Sequence, residues 1–213
     1  MNTFKNKYGK PILLSIVKAI QDNKAYLGEV DGLIGDGDHG MNMNKGFTVF
    51  ERRIADRDIS FTEGLEELGN ILMTEIGGSM GPIYGTIFIS MAEAGVGLDD
   101  IGAKDLEKML VSGLEGLQEI VEAKVGDKTL VDTLSPAAES VKSDVASGKD
   151  FEAVLNNMKS AAEKGKDSTK DMVAKFGRSS RLGERSRGVL DAGATSCCII
   201  LTAVADGILE VLL

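Results

Sequence analysis

The residues able to do chemistry are concentrated in one stretch, Ile34-Gly35-Asp36-Gly37-Asp38-His39-Gly40-Met41-Asn42, with Asp31 just upstream. Three carboxylates fall within eight residues, interleaved with glycines that let the backbone turn sharply enough to aim them at one point. Hard divalent cations take oxygen ligands of this kind, and Mg²⁺ in particular is held by a few carboxylates together with substrate phosphates. Asp31, Asp36 and Asp38 are therefore the candidate metal ligands. Gly35-x-Gly37-x-x-Gly40 also spells the dinucleotide-binding fingerprint, but that motif needs a preceding strand and a cradle free of negative charge, and residues 25–33 look helical. A calcium loop needs a closing bidentate glutamate, and Lys45 and Phe47 stand where ligands would be required. A solvated acidic turn is the remaining alternative.

Composition narrows the field. The chain has 213 residues, 43% hydrophobic and 27% charged, enough to bury a core and stay in solution. A formal net charge of −9 disfavours nucleic acid or an anionic membrane as partner, since either would select a basic face. Cys197 and Cys198 are adjacent in an apolar run and read as small core residues of a cytoplasmic protein. The apolar run from Ile12 to Ile20 is broken by Lys18 and lacks a cleavage site, so no export signal is expected.

The elements that must position the acidic stretch all read as helices. The first opens at Pro11 and continues its apolar stripe through Leu27, Val30 and Leu33. A second runs from His39–Asn42 to Ile54. A third is announced by the capping box Ser60-x-x-Glu63 and stops at Gly77-Gly78. The fourth starts within Ser79-Met80-Gly81-Pro82, the fifth carries Leu106 to Val121, the sixth follows Gly126-Asp127-Lys128-Thr129, and the seventh runs from Phe151 to Phe176. An arginine-rich segment from Gly177 to Gly188 has no apolar period, and the eighth helix, from Ala194 onward, is the most apolar. No strand is expected, and Asp206 and Glu210 make the last helix a poor membrane span. The predicted fold is a single all-α domain over residues 1–213, an eight-helix antiparallel up-and-down barrel.

In that topology the odd-to-even loops share one end. They are the loops with unusual chemistry. Gly77-Gly78-Ser79-Met80-Gly81 offers unhindered N–H groups at a helix N-terminus, a seat for phosphate, although Ser79 in a plain capped turn explains the same letters. Of Arg178, Arg181, Arg185 and Arg187, one or two should turn inward as forked donors to phosphate oxygens. His39, the sole histidine, is weak evidence alone.

Asp31 with Gly35-Asp36-Gly37-Asp38-His39-Gly40-x-Asn42, then Gly77-Gly78-Ser79-x-Gly81-Pro82-x-Tyr84-Gly85-Thr86, Gly126-Asp127-Lys128-Thr129, Gly177-Arg178-x-Ser180-x-Leu182-Gly183-Glu184-Arg185 and Asp191-x-Gly193-Ala194-Thr195-Ser196, closely resemble the nucleotide-binding L subunit of bacterial dihydroxyacetone kinases. The resemblance implies a helical barrel with ADP or ATP at one end and two Mg²⁺ ions held by Asp31, Asp36 and Asp38. It places His39, Gly40, Met41, Asn42, Gly78, Ser79, Met80, Gly126, Thr129, Leu130, Arg178, Asp191, Ala192 and Gly193 around the nucleotide, with Arg178 acting on the phosphate chain. It also implies that dihydroxyacetone sits on a separate K subunit. ADP would then be rephosphorylated in place by a phosphohistidine carrier, the M subunit of the phosphotransferase system, and a homodimer is compatible. Met80 replaces a usual hydroxyl residue, Arg181 a usual aromatic and Ala192 a usual proline, while Val121-Glu122-Ala123 lacks a glycine common near the adenine. Those departures bear on an alternative, an ATP-dependent kinase subunit for another small ketose such as a tetrulose. A regulatory protein that binds nucleotide without chemistry is the other.

Overall fold

The computed structural model describes residues 2–212. Among these it contains nine α-helices: α1 (Lys10–Asp22), α2 (Lys24–Gly32), α3 (His39–Ile54), α4 (Phe61–Glu75), α5 (Met80–Ala94), α6 (Ala103–Ile120), α7 (Val131–Ala146), α8 (Phe151–Ser168) and α9 (Ala192–Val211). The all-α architecture is the one expected from the sequence. The first expected helix is bent into two, because the Asn23 side chain donates to the Ala19 carbonyl at 2.8 Å and so competes with the helical ladder. α2 then leaves at a new angle and delivers Asp31 from its last turn.

Two further boundaries differ from the sequence reading. The seventh expected helix stops at Ser168 instead of Phe176, where the Ser168 and Thr169 hydroxyls donate at 2.6 Å to the Gly165 and Lys166 carbonyls and consume the acceptors that would extend it. The chain continues through short 3₁₀ turns at Thr169–Asp171 and Arg178–Ser186. A strand pair was not expected, yet β1 (Phe4–Lys5) pairs antiparallel with β2 (Asp100–Ile101). Two-residue strands carry no period to read. The capping box of α4 forms as spelled, with the Glu63 N–H donating to Ser60 Oγ at 3.2 Å and the Ser60 N–H to Glu63 Oε2 at 3.0 Å.

The helices close into a ring in which α1 packs on α3, each of α3 to α8 on the next, α8 on α9, and α9 back on α1. The buried apolar side chains of this ring form one cluster that reaches from Phe4 to Ile208. Long apolar α9 passes by length and composition for a membrane span but is mostly buried here, as a core helix between α1 and α8. Because successive helices alternate in direction, the loops after α2, α4, α6 and α8 meet at one end, around a cavity of about 650 Å³. The α3–α4 and α5–α6 loops meet at the other, with β1 and β2.

The acidic loop is seated by close backbone contact. A Cβ at Gly40, in the first turn of α3, would lie 2.0 Å from the Lys24 carbonyl oxygen and 2.9 Å from the Gly28 nitrogen, so only glycine lets α3 start against α2. Gly40→Ala should therefore cost about 3 kcal/mol, the upper part of the overpacking range. Chemical denaturation will measure it, and a loss below about 0.5 kcal/mol, the scale of a neutral surface change, would contradict the close approach.

Candidate functional site

After α2 the chain wraps around Asp31. The Ile34 and Gly35 N–H groups donate to the Asp31 carbonyl at 3.2 and 2.6 Å, and a Cβ at Gly35 would stand 2.3 Å from Asp31 Oδ1. Gly37 takes a positive φ of 77°, which brings the chain back to Asp38 at the head of α3. One carboxylate oxygen from each of Asp31, Asp36 and Asp38 consequently lies within 4.8 Å of the other two. Asp31 Oδ2 accepts the His39 N–H at 3.3 Å, so the positive end of α3 partly offsets its charge. Asp36 Oδ2 is paired with Arg178 Nη1, a cation brought in by the loop before α9.

The donor set suits a hard cation. Its ligand atoms are all carboxylate oxygens, because the nearby His39 ring points its Nε2 at Ser196 Oγ, 2.8 Å away. Mg²⁺ accepts such a set and keeps remaining positions for water or phosphate. Opposite stands the α5 N-terminus. A Cβ at Gly77 or Gly78 would meet nothing within 4 Å, Gly78 has a φ of 73°, and the Ser79 side chain caps no N–H. Ser79 is thus not a closed capping turn, and the backbone from Gly77 to Met80 lines the cavity as an anion seat requires.

The far wall of the cavity is apolar, made by Leu117, Val121, Ala123, Leu130 and Val131, with Ile83 and Tyr84 beneath. Asp191 to Gly193 form the remaining side, where Asp191 caps α9 by accepting the Ala194 N–H at 2.7 Å. Burial pushes its carboxyl up to about 6, against the helix N–H groups and the Lys128 ammonium, which favour ionisation. Burial likewise lowers His39 to about 4, opposed by Asp31.

Of the residues singled out from the sequence, the structure brings Asp31, Asp36, Asp38, His39, Asn42, Gly78, Ser79, Met80, Thr129, Leu130, Arg178, Asp191, Ala192 and Gly193 to this one cavity. Gly40, Met41 and Gly126 do not line it. Gly40 is packed under α2, Met41 points outward at 59% exposure, and the Gly126 N–H donates to Asp132 Oδ1 at 2.5 Å in the turn behind Thr129. Of the four arginines only Arg178 lines the cavity, and Arg187 is held away by Glu184 at 3.1 Å. Three polar residues in or behind the wall, Tyr84, Lys128 and Ser196, had been assigned no role. Tyr84 OH lies 2.6 Å from Ser196 Oγ, which in turn fixes the His39 ring, and Lys128 lies buried behind Thr129. Their letters stand inside the motifs, but a buried polar role is set by partners far away in the chain.

An α-barrel that gathers oxygen donors, an open helix N-terminus and an apolar wall at one end defines a helical class of anion and metal receptors. The comparisons identify the family. Residues 33–206 match the DAK2 domain. The ADP-binding subunit DhaL of the PEP-dependent dihydroxyacetone kinase of Escherichia coli is 39% identical over 183 residues, 84% of this chain and 86% of that protein. Its counterpart in PEP-dependent dihydroxyacetone kinase 1 of Listeria innocua is 34% identical over 186 residues, 87% of this chain and 88% of that one. The crystal structure of the dihydroxyacetone kinase of C. freundii shares the fold, with a TM-score of 0.70 at 22% identity in native form and 0.68 at 21% in complex with AMP-PNP and Mg²⁺. Both matches cover 92% of this chain but 33% of that longer one. This chain belongs to the DAK2 domain family.

The raised Asp191 carboxyl has a measurable consequence. Between its unfolded value of about 3.9 and its folded value of about 6, the native chain holds a proton the unfolded chain has released, so this stabilisation is lost as pH rises through about 6. In ligand-free protein, wild type should lose melting temperature relative to Asp191→Asn between pH 5 and 7. A gap that stays constant would contradict a carboxyl whose burial outweighs its helix N–H and Lys128 partners.

Proposed function

We propose that this chain is the nucleotide-binding subunit of a cytoplasmic dihydroxyacetone kinase, a single domain that holds ADP or ATP with two Mg²⁺ ions and transfers phosphoryl groups to a ketose carried by a separate K subunit. The observation that carries this reading is the convergence of Asp31, Asp36 and Asp38 on one point facing the open α5 N-terminus, in a chain whose relatives are named ADP-binding subunits. The C. freundii kinase that shares the fold was crystallised with AMP-PNP and Mg²⁺.

Each part of the cavity has a task in such a transfer. The apolar wall of Leu117, Val121 and Leu130 receives the adenine by excluding water from its faces. N–H groups at Gly78 to Met80 bind phosphate oxygens along the helix axis, where the dipole favours negative charge. Asp31, Asp36 and Asp38 hold Mg²⁺, which when bound neutralises charge on the phosphoryl oxygens. Arg178 then exchanges its partner, leaving the Asp36 carboxylate to the metal and offering its guanidinium to the phosphate chain. These residues position and neutralise; none is placed to take a proton from the substrate hydroxyl, which assigns the general base to the K subunit.

The naming of the relatives as ADP-binding subunits of PEP-dependent kinases supports a resident nucleotide. ADP rephosphorylated in place by the phosphohistidine carrier is therefore the preferred cycle. Protein purified without added nucleotide should carry ADP by mass spectrometry, and should phosphorylate dihydroxyacetone with its K partner only when the carrier and phosphoenolpyruvate are supplied. Asp38→Asn should retain its helical signal and its ligand-free melting temperature but lose nucleotide and activity together. Empty wild-type protein that turns over repeatedly on free ATP would replace the resident cofactor by an ordinary ATP-dependent cycle, tested in the same assay with a tetrulose as second substrate. Protein that binds no nucleotide under any of these conditions would overturn the reading.

A further inference from the structure

Lys128 is 1% exposed, and among the described residues its ammonium makes no ion pair within 4 Å. Nζ donates instead to two backbone carbonyls, Thr169 and Val189, each at 2.5 Å. It is also the one non-glycine residue among those described with a positive φ, 60°, a region that side chains of L-residues disfavour. A glycine would satisfy that turn without strain. A lysine there indicates that the side chain, not the turn, decides the position.

The two acceptors lie on segments that approach the cavity separately. Thr169 ends the run after α8, and Val189 stands two residues before Asp191. Thr169 also receives the Asp191 N–H on its hydroxyl at 3.0 Å. Lys128 thereby ties together two adjoining parts of the cavity wall, Thr129 to Val131 on its own segment and Asp191 to Gly193, which packs beside Leu130. The metal triad and the Gly78–Met80 turn hang from other supports, α2 with α3 and α4 with α5.

We propose that Lys128 is a positioning residue for the nucleoside end of the site: it sets the spacing between the Thr129–Val131 and Asp191–Gly193 walls without touching the reacting phosphates. This inference rests on the nucleotide-binding reading above. It predicts that loss of the ammonium weakens the grip on the nucleoside more than the grip on a metal-bound diphosphate, because the metal triad and the Gly78–Met80 turn are anchored elsewhere and only Arg178, on the loop between Thr169 and Val189, is shared.

The test compares two probes on the full-length protein stripped of ligand, ADP with Mg²⁺ and inorganic pyrophosphate with Mg²⁺, by calorimetric titration of wild type, Lys128→Met and Lys128→Arg. Lys128→Met matches the length of the stem and leaves the Val189 carbonyl without a donor and the Thr169 carbonyl with the Met172 N–H alone. Its ADP affinity should fall about ten- to a hundredfold, the loss that follows from a wall displaced by roughly 1 Å, with a clearly smaller fall for pyrophosphate. Lys128→Arg keeps a charge and donors and should recover part of the loss. Thr169→Val removes the hydroxyl that receives the Asp191 N–H and donates to the Lys166 carbonyl, and should show the same split in weaker form if Lys128→Met fails to fold. Equal losses for both probes would make Lys128 a general structural residue and overturn the inference, as would ADP affinity untouched in Lys128→Met, or in Thr169→Val should Lys128→Met not fold. Wild type that binds pyrophosphate but not ADP would instead overturn the nucleotide reading itself, and this proposal with it.

Discussion

Three carboxylates held within 4.8 Å of one another repel, and the rest of the site is arranged around that repulsion. At such separations each like-charged pair costs about 1 kcal/mol in water and about 4 kcal/mol at the effective dielectric of a protein surface. The chain offsets it locally, with the α3 N–H on Asp31 and the Arg178 guanidinium on Asp36. Both devices are partial, since a helix end carries about half a charge and Arg178 is largely in solvent. A divalent cation would remove the repulsion outright, and in the function proposed above the phosphates it brings would be received by the α5 N-terminus and Arg178.

The barrel explains why these groups can meet. Side chains 31, 79, 130, 178 and 191 come from five parts of the sequence, and alternation of helix direction brings their loops to one rim. That rim divides the work between polar and apolar materials. Acids, glycine-rich backbone and arginine stand at the phosphate side, while Leu117, Val121, Leu130 and Val131 leave an unhydrated wall for a base. Behind them a second layer of buried polar groups, Tyr84 with Ser196 and His39 on one side and Lys128 with Thr169 on the other, sets the wall positions by hydrogen bonds across the core. In a low-dielectric interior such groups must be satisfied, and their geometry is correspondingly fixed.

Much of this was legible in the letters. Apolar periods located the helices, the Ser60-Glu63 box located the start of α4, and the alternation rule placed the loops bearing Asp36, Ser79, Thr129 and Arg178 together. What was not legible depends on contacts between distant residues. Asn23 breaks the first helix through a local side-chain bond that competes with an otherwise continuous apolar stripe, and the hydroxyls at Ser168 and Thr169 end α8 where its composition permits it to continue. Gly40 and Gly126 read as ligand contacts in their motifs, yet the first serves helix packing and the second a turn closed by Asp132. Lys128 stands in its motif without an assigned role, which only its bonds to the distant Thr169 and Val189 carbonyls reveal.

The central claim is that the carboxylate cluster and the nucleotide cavity form one site, in which metal and nucleotide each require the other. Linkage makes that reciprocal: if ADP tightens metal binding by some factor, metal tightens ADP binding by the same factor. Electron paramagnetic resonance of Mn²⁺ titrated into ligand-free protein, with and without ADP, tests it directly. The account predicts weak Mn²⁺ binding by the protein alone, and two tightly bound ions per chain once ADP is present. Mn²⁺ affinity and stoichiometry indifferent to ADP would contradict it.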